Sequence, residues 1–529
     1  MTDPSLIRFF TMLFFAAALH PLDLAIMAAF FVTMALMGAH FSRKTRTSKT
    51  YFLGNNLPAW AIGLSMLSTS ISSVTFLAFP AAAFALDWRQ VVPNLANPVL
   101  AALAIWLFVP FFRNTAKTTA FEYLKKRYGE GARLYVAGMF LVMQSLRLGS
   151  ILYLLVIPIH MITGISPFWI IFSTGIGAAI YTTMGGMSAS VWTDVVQAFI
   201  LYLGGAVTVA VIIFDLPGGF SDVFRVAGEH GKLSLGPMNW DLSERTFWTM
   251  LIIGLTTWVS GFVADQNVVQ RYLAAKSTRE ARSATLLCAL MSLPTWLFFF
   301  FLGTCLFVYY TVLPSAEVAA LPPDSVFPHF IMSRLPAGLS GLVIAGVLSA
   351  AVGSLSSSLN AFATVSTVDI LAPHVFKDRS ERFYARLGRI MTVAGTLVMF
   401  AVGYGFWYAE KESFLDLSLK LAGLLSGVTV CFFMLGFFAP RVNRKVLWQS
   451  FTVAISLNLY LALVEWKFIP NFLRIHVHPY WVSTLVIWVM IVLALLLAWL
   501  QRTGPERRPG LTIAGARETH EAAGETSSA

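Results

Sequence analysis

The residues best suited to chemistry form a cluster of hydroxyl side chains within an apolar stretch. Six of the eight residues from Ser68 to Thr75 are Ser or Thr, and the flanking residues of the segment 64–79 are mostly apolar. Hydroxyl side chains compete for backbone hydrogen bonds and so weaken a helix locally. We expect this segment to unwind against a cavity, because lipid does not tolerate free backbone groups. The alternative is a continuous helix whose hydroxyls bond within their own turn or hold neighbouring helices together.

Two ionisable residues lie within apolar segments. Arg147 occurs in LVMQSLRLGSILYL, and Asp194 occurs in GGMSASVWTDVVQ. A charge inside a membrane span costs a few kcal/mol, so both residues are functional candidates. Arginine is always charged and can hold a carboxylate through two hydrogen bonds, unless it pairs with a fixed Asp or with helix-end carbonyls. Asp265 is interpreted as a wetted residue at a helix end.

A second hydroxyl-rich segment runs from Ser349 to Asn360. Its residues Ser354, Ser357 and Ser358 are spaced to share one helix face. Hydroxyl and carboxylate oxygens suit a dehydrated alkali cation, whereas a soft metal would require Cys or His. Packing of small residues between helices explains such a run equally well on its own. The combination with an intramembrane Asp and an unwound helix favours a cation site.

The composition places these residues in a polytopic membrane protein. Of its 529 residues, 57% are hydrophobic and 12% are charged, and the mean hydropathy is +0.72. A soluble protein of this length could not bury so much apolar surface. The net charge of +11 comes from short basic clusters between apolar spans, which indicate topology and not a nucleic-acid partner. The three cysteines are not spaced as metal ligands are, so they predict neither a disulfide bond nor a zinc site: Cys288, Cys305 and Cys431.

Apolar spans of about 20 residues predict about 13 transmembrane helices. An N-terminal extension, 1–19, precedes a membrane domain, 20–501, and a tail, 502–529, is predicted to be disordered. The predicted spans are 21–41, 58–85, 92–112, 133–163, 167–184, 188–213, 246–270, 283–312, 338–368, 385–407, 413–439, 445–464 and 480–500.

Polar interruptions suggest how these spans are organised. After the extra first span, two runs of five spans follow, 58–213 and 246–439, and the two spans after 445 are additional. Each run begins with an interrupted helix, the second at Thr256 to Gly261. Interrupted helices at matching positions of two halves indicate an inverted repeat with a site at the membrane midplane. A kink used only for packing is the alternative.

Basic loops alternate with loops that are poor in Lys and Arg. The positive-inside rule therefore predicts a cytoplasmic C-terminus, an external N-terminus and, for a bacterial protein, the inner membrane. The basic segments are 42–49, 113–133, 270–282, 377–386 and 441–445.

Three segments are the most specific evidence of a resemblance to a known family: GGMSASVWTDVVQ (185–197), DQNVVQRYLAAKS (265–277) and GLVIAGVLSAAVGSLSSSLNAFATVSTVDI (341–370). With these, the chain from about residue 20 to residue 500 resembles the sodium/solute symporters, the sodium–glucose cotransporter family. The resemblance implies a five-plus-five inverted-repeat fold, sodium coupling and alternating access. No covalent chemistry is required, so the prediction is a transporter and not an enzyme.

The resemblance also implies where sodium binds. The ligands of a first sodium would be the carbonyls of Ser68, Ile71 and Ala350 and the hydroxyl of Ser354. Gly353 departs from the pattern, because the family usually has a serine hydroxyl there. Some members hold a second sodium, for which this chain has the matching residues Asp194, Ser356 and Ser357.

The chain looks most like the bacterial sialic acid symporters, through residues 71–88 and 145–154. In that branch a substrate carboxylate would meet Ser70, Ser72, Thr75 and Arg147, and Asn94 replaces a longer amide that contacts the sugar. Trp258 and Phe262 are candidate inner gate residues. The expected partners are the bilayer, sodium and an acidic organic solute such as sialic acid. The alternatives are a neutral sugar, an amino acid, a monocarboxylate, proton coupling through Asp194 or a ligand-sensing membrane protein.

Overall fold

The structure, a computed structural model, describes residues 20–505 except 55, 242–243, 409–426, 466–467 and 471–478, together with 511–512. Every regular element in these ranges is helical. The predicted extension 1–19 and most of the predicted tail 502–529 lie outside the described residues. Part of the predicted span 413–439 does so too, and its described part is the helix Gly427–Phe438.

Nine helices of the described residues are long and apolar enough to cross a membrane. Two further pairs of helices, each bent at a short break, would cross it as broken spans. The nine are Pro21–Ser42, Trp88–Thr115, Glu130–Val156, Pro167–Asp215, Thr278–Val312, Leu339–His374, Glu381–Tyr408, Arg444–Val464 and Trp481–Leu500.

The helix Pro167–Asp215 covers two of the predicted spans. Its 49 residues are more than twice the roughly 20 that one crossing needs. Its backbone leaves the helical region at Gly186, with φ 54° and ψ −144°, between the predicted spans 167–184 and 188–213. A Cβ at Gly186 would lie 2.4 Å from the carbonyl oxygen of Tyr51. Glycine is therefore required here by both the positive φ and the close approach of another backbone.

The first broken helix consists of Ala59–Ser70 and, after the break, Thr75–Ala85, at an angle of 66°. Its first half ends where Ile71 becomes extended, with φ −95° and ψ 126°, inside the predicted hydroxyl cluster. A π-helical turn, Val74–Ala78, starts the second half before the α-helix Phe79–Ala85. The predicted unwinding at the hydroxyl cluster is confirmed.

The second broken helix consists of Phe247–Val263 and Gln266–Ala274, bent by 47°. The predicted interruption at Thr256 to Gly261 is wrong, because this stretch is continuous helix. The Thr256 hydroxyl donates to the Ile252 carbonyl one turn earlier, at 3.1 Å, so it does not disrupt the backbone. The break lies instead at Ala264 and Asp265, and the Asp265 carboxylate accepts a hydrogen bond from the Asn267 amide as an N-cap.

The serine helix, Leu339–Val365, lies at the centre of the bundle, and nearly all its residues are buried. Asp23 of the extra first helix, Pro21–Ser42, holds the N-terminus of the serine helix. One carboxylate oxygen of Asp23 accepts bonds from the Gly338 and Gly341 amides, at 2.7 and 2.8 Å. These amides have no partner within the helix, so the extra helix fixes the end of the helix that carries the serines predicted to bind a cation.

The basic segments meet at one end of the bundle. The Ser48 hydroxyl donates to the Glu381 carboxylate, Arg113 donates to the Tyr272 and Ala275 carbonyls, and Arg127 donates to the Val442 carbonyl. At the opposite end Lys232 donates to the Phe84 and Leu86 carbonyls. The segments predicted to be cytoplasmic therefore share one end, as the positive-inside rule requires.

Candidate sodium and solute site

The break in the first broken helix lies against the serine helix. The Ser354 hydroxyl donates to the Ile71 carbonyl at 2.6 Å and lies 3.5 Å from the Ser68 carbonyl. Ser68 lies in the last turn of Ala59–Ser70 and Ile71 directly follows that helix, so no further turn of the helix bonds their carbonyls. Three of the four predicted ligands of the first sodium are thus together, and all three residues are buried.

Ala350 precedes Ser354 by four residues on the serine helix. A helical carbonyl points along the axis toward the following turn, so the Ala350 carbonyl points toward the turn of Ser354. Ala350 is buried. The four predicted ligands are oxygen atoms only, which is the donor set that a hard cation requires.

Gly353 forms a notch beside this site. A Cβ there would lie 2.7 Å from both the Ser68 hydroxyl oxygen and the Gln197 Oε1, and 3.3 Å from the Asp194 Oδ1. The Gln197 Oε1 and the Asp194 Oδ1 are buried and have no hydrogen-bond donor within the described part of the chain. A serine at this position would therefore have to displace its neighbours before it could add a hydroxyl ligand.

Arg147 lies on the long helix Glu130–Thr163 and reaches both broken helices. Its Nη2 donates to the Thr69 carbonyl at 2.9 Å, and its Nη1 lies 3.4 Å from the Asp265 Oδ2. Both side chains of this ion pair are partly exposed, at 35% and 25%. A guanidinium held this loosely can exchange a partner for a carboxylate of a ligand.

A cavity of about 200 Å³ borders this ion pair. It lies between the two broken helices and the helices that carry Arg147 and Cys288. The candidate gate residues Trp258 and Phe262 are part of its wall. Its lining residues are Met66, Thr69, Ser70, Asn97, Arg147, Trp258, Gly261, Phe262, Asp265, Val268 and Cys288.

Of the five predicted solute residues, Ser70 and Arg147 line this cavity. The Ser70 hydroxyl donates to the Met66 carbonyl at 3.2 Å in its own turn. The other three lie nearby in sequence but outside the cavity lining: Ser72 is half-buried at the break, Thr75 is buried in the π-helical turn, and Asn94 is half-buried in the short helix Val92–Leu95. Their role in binding stays a prediction.

Three polar residues at the site were not among the predicted site residues. Asn97 is buried at the cavity, and its Oδ1 has no hydrogen-bond partner among the described residues. Asp265 caps a half-helix with its side chain 25% exposed and also pairs with Arg147, a role that its interpretation as a wetted helix end did not include. Its signal was an Asp before Gln-Asn in a polar run, which is a typical N-cap pattern. Arg271 belongs to the segment 265–277 that carries the family resemblance and to the basic segment 270–282, but the sequence analysis gave it no role at the site.

The residues of the predicted second sodium surround Arg271. Its Nη2 lies 3.1 Å from the Asp194 Oδ2 and 2.6 Å from the Ser357 Oγ. The Ser356 hydroxyl points elsewhere, 3.0 Å from the Ser190 Oγ and 3.1 Å from the Gly353 carbonyl oxygen. The second sodium stays a prediction, and a guanidinium already contacts two of its three proposed ligands.

Comparison with known proteins defines the family. The profile of the Sodium:solute symporter family matches residues 51–450, which include both broken helices and the serine helix. The chain belongs to the sodium:solute symporter family. It is a multi-pass membrane transporter, and sodium is its coupling ion.

Two relatives of the symporter are informative. The sodium/sialic acid symporter NanT of Aliivibrio fischeri is 31% identical over 82% of this chain and 86% of its own length. A solved structure of a Na⁺-coupled sialic acid symporter, in a substrate-bound outward-open state, has a TM-score of 0.82. It is 27% identical and covers 92% of this chain and 99% of its own.

The fold is also found in a more distant transporter. The structure of Mhp1, of the nucleobase-cation-symport-1 family, aligns with a TM-score of 0.53 at 16% identity, over 87% of this chain and 96% of its own. The symporter therefore has the predicted all-helical fold with two inverted repeats of five helices. The count of 13 spans stays a prediction.

Proposed function

We propose that this symporter imports a carboxylate-bearing solute of the sialic acid type together with sodium. The observation that carries the proposal is the cavity between the two broken helices, with Arg147 in its wall. Arg147 is paired with Asp265 and with the Thr69 carbonyl, the alternative that the sequence left open, but the ion pair is partly exposed and can open to a ligand. Two relatives, at 31% and 27% identity, are sialic acid symporters by name, and a solute carboxylate is the ligand that this guanidinium suits best.

In this proposal the solute carboxylate takes over the contact that Arg147 makes with Asp265. The distance of 3.4 Å from Nη1 to Oδ2 leaves room for a shorter and better aligned partner. The Nη2 bond to the Thr69 carbonyl can persist, so the guanidinium stays attached to the first broken helix. Ser70, Ser72 and Thr75 are proposed to donate hydroxyl hydrogen bonds to the same carboxylate.

Asn97 is proposed to contact the remainder of the solute. Its buried Oδ1 lacks a donor among the described residues, and a buried unpaired amide oxygen costs about 1–3 kcal/mol. A hydroxyl or amide N–H of the solute would remove that cost. Asn94, the position expected from the resemblance, is half-buried and does not line the cavity.

Sodium is proposed to bind where Ser354 meets the Ser68 and Ile71 carbonyls, with the Ala350 carbonyl as the fourth ligand. A cation there attracts both carbonyls and so fixes the end of Ala59–Ser70, which also carries Ser70 and the Thr69 carbonyl bonded to Arg147. Sodium therefore arranges the residues that receive the solute. Reciprocal linkage then requires that the solute raises the affinity for sodium.

Transport is proposed to follow alternating access, in which one helix bundle moves against the other around the two breaks. The end of the bundle where the basic segments meet is proposed to be cytoplasmic, in the inner membrane of a bacterium. The N-terminus would then be external and the C-terminus internal. Trp258 and Phe262, at the cavity wall, would close the path on one side.

The test is uptake of N-acetylneuraminate into liposomes that contain the purified symporter. Uptake is expected with an inward sodium gradient and is expected to vanish when choline replaces sodium at constant pH. The Arg147→Ala variant should lose affinity for the solute, whereas Arg225→Ala, which removes an arginine from the exposed pair with Asp222, should not. Accumulation without sodium, or an unchanged affinity in Arg147→Ala, would contradict the proposal.

A further inference from the structure

Two exposed helix faces change from apolar to basic residues at the same end of the bundle. On the first helix, Pro21–Ser42, the exposed face follows helical spacing through Val32, Leu36, His40 and Arg43. On the helix Glu381–Tyr408, the corresponding face runs through Leu397, Val393, Ile390, Arg386 and Arg382. In a membrane protein an exposed apolar face meets acyl chains, so the change to basic side chains marks the depth of the lipid headgroups.

The basic ends of these two faces are neighbours in the fold. The Ser48 hydroxyl donates to the Glu381 carboxylate, although 333 positions separate the two residues in the sequence. The Arg389 Nη2 donates to the Thr45 carbonyl at 2.6 Å. The basic segments 42–49 and 377–386 therefore lie side by side at the end of the bundle.

Together the two segments form a basic patch of eight exposed side chains. Its members are Arg43, Lys44, Arg46, Lys49, Lys377, Arg379, Arg382 and Arg386. The same segments contain two acidic residues, Asp378 and Glu381. Lys125, at this end of the bundle, pairs with Glu130, whereas none of the eight has a carboxylate within ion-pair distance among the described residues. The patch therefore keeps uncompensated positive charge beside the membrane.

We propose that this basic patch binds the headgroup of an anionic phospholipid, such as phosphatidylglycerol, in the adjacent leaflet. The charges of patch and phosphate are complementary, and the two apolar faces above the patch accept the acyl chains. Clusters of about four to eight basic residues directly beside a membrane span attract anionic lipids in this way. Topology alone requires only net positive charge and predicts no saturable lipid site. The inference depends on the membrane location of the chain and on no assumption about the solute.

A lipid at this patch would stabilise the end of the second broken helix. The segment 42–49 leads into the short helix Ser48–Leu53, where the Phe52 carbonyl accepts a hydrogen bond from the Gln270 side chain. The Tyr51 hydroxyl lies 2.9 Å from the Thr392 hydroxyl on Glu381–Tyr408. A headgroup that contacts both basic segments would oppose their separation and so preserve these bonds.

The test uses the purified full-length symporter, stripped of lipid in detergent and titrated with phosphatidylglycerol or with phosphatidylcholine of the same acyl chains. Native mass spectrometry counts the bound lipid, and the midpoint of thermal unfolding reports the stabilisation that binding requires. We expect saturable binding of phosphatidylglycerol that raises the midpoint, and binding of phosphatidylcholine that is at least about 10-fold weaker. Equal affinity for the two lipids would overturn the proposal, and this comparison needs no variant.

A double variant tests the position of the site. Arg43→Gln combined with Arg386→Gln removes one charge from each face, so the affinity for phosphatidylglycerol should fall about 10–30-fold. Lys276→Gln combined with Arg279→Gln is the matched control and should leave the affinity unchanged. Both control residues are exposed in the basic segment 270–282 at the same end of the bundle, outside the patch. An equal loss in the two double variants would mean attraction to net charge alone and would overturn the proposal.

A soluble phosphate distinguishes a lipid site from a site for a free anion. Glycerol 1-phosphate carries a phosphate group without acyl chains, so it should not raise the unfolding midpoint at concentrations where phosphatidylglycerol saturates. An equal rise with glycerol 1-phosphate would assign the patch to a soluble anion and overturn the lipid proposal. None of these measurements involves the transported solute, so their failure would leave the proposed function unaffected.

Discussion

Two arginine–aspartate pairs involve the second half of the second broken helix, Gln266–Ala274, and they differ in exposure and in the distance between their charges. Asp265 caps the start of Gln266–Ala274 and pairs with Arg147 at 3.4 Å, where both side chains are partly exposed. Arg271 lies in the second turn of the same half-helix and pairs with Asp194 at 3.1 Å, where neither side chain is more than 2% exposed. One half-helix thus carries a loose pair at a cavity and a tight pair in the core.

The difference in exposure suits the two pairs to different roles. A pair in contact with water gains little from its Coulomb attraction, so a ligand can replace one partner at small cost. A pair in the dry core is costly to form and more costly to break, because either charge would remain buried without compensation. The Arg147 pair is therefore suited to solute exchange, and the Arg271 pair to a permanent contact in the core.

The largest effect is expected for the core pair. Arg271→Met or Asp194→Asn alone should lower the free energy of unfolding by about 3–5 kcal/mol, because each leaves one buried group without its partner. The double variant should lose less than the sum of the two single variants. The midpoint of thermal unfolding in detergent measures both effects.

The control for this prediction is Arg225→Met, which replaces the largely exposed arginine that pairs with Asp222 and should leave the midpoint of thermal unfolding nearly unchanged. If the two core variants behaved like this surface variant, the contrast between the two pairs would be refuted.

The next largest effect concerns the cavity pair. Arg147→Ala should reduce the affinity for N-acetylneuraminate by about 10–100-fold, because hydrogen bonds to charged groups contribute about 1.5–3 kcal/mol. Its thermal stability should change little, since the pair is partly exposed. The concentration dependence of uptake gives the affinity, and the midpoint of thermal unfolding of the same protein gives its stability. A large loss of stability with intact affinity would reverse the assignments of the two pairs.

Sequence reasoning predicted the parts of this site that depend on local chemistry. Six hydroxyls in eight residues predicted the break at Ile71, because the tendency of Ser and Thr to disrupt a helix is a local property. The face of Ser354, Ser357 and Ser358 indicated a cation site, and the family resemblance singled out Ser354, whose hydroxyl meets the Ile71 carbonyl. Arg147 could be recognised because a charge in an apolar segment is rare.

Two parts of the prediction failed, one for a local and one for a tertiary reason. Thr256 to Gly261 has the composition of a break but remains helical, since the Thr256 hydroxyl bonds within its own turn. Arg271 could not be distinguished from the basic residues that follow it in the chain, although it is buried in the core. Composition does not say whether a hydroxyl bonds within its own turn, nor which neighbours a charged side chain meets in the fold.

Two asparagines three positions apart, Asn94 and Asn97, test which of the two positions contacts the solute. Asn97→Leu should reduce the affinity for N-acetylneuraminate about 2–10-fold, because a neutral hydrogen bond contributes about 0.5–1.5 kcal/mol. Asn94→Leu is the matched control and should leave the affinity unchanged, since Asn94 does not line the cavity. A loss of affinity in Asn94→Leu without a loss in Asn97→Leu would place the solute beside Asn94, as the family resemblance predicted. Competition between labelled and unlabelled solute measures both variants.

The smallest effect is expected at Asp265. Asparagine can still cap Gln266–Ala274, so Asp265→Asn removes the charge and keeps the helix start. Arg147 then loses its resident partner, and a solute carboxylate no longer has to compete for it. The affinity for N-acetylneuraminate should rise by no more than about 5-fold, which corresponds to the 0.2–1 kcal/mol of an exposed ion pair.

Asp265→Ala provides the control for this variant, because it removes both the charge and the cap and should lower thermal stability where Asp265→Asn does not. Binding measured in saturating sodium keeps the cation site constant across the variants. A fall in affinity in Asp265→Asn would mean that the carboxylate itself accepts hydrogen bonds from the solute. The pair with Arg147 would then be part of the bound state, and the cavity would recognise a solute that carries donors beside its carboxylate.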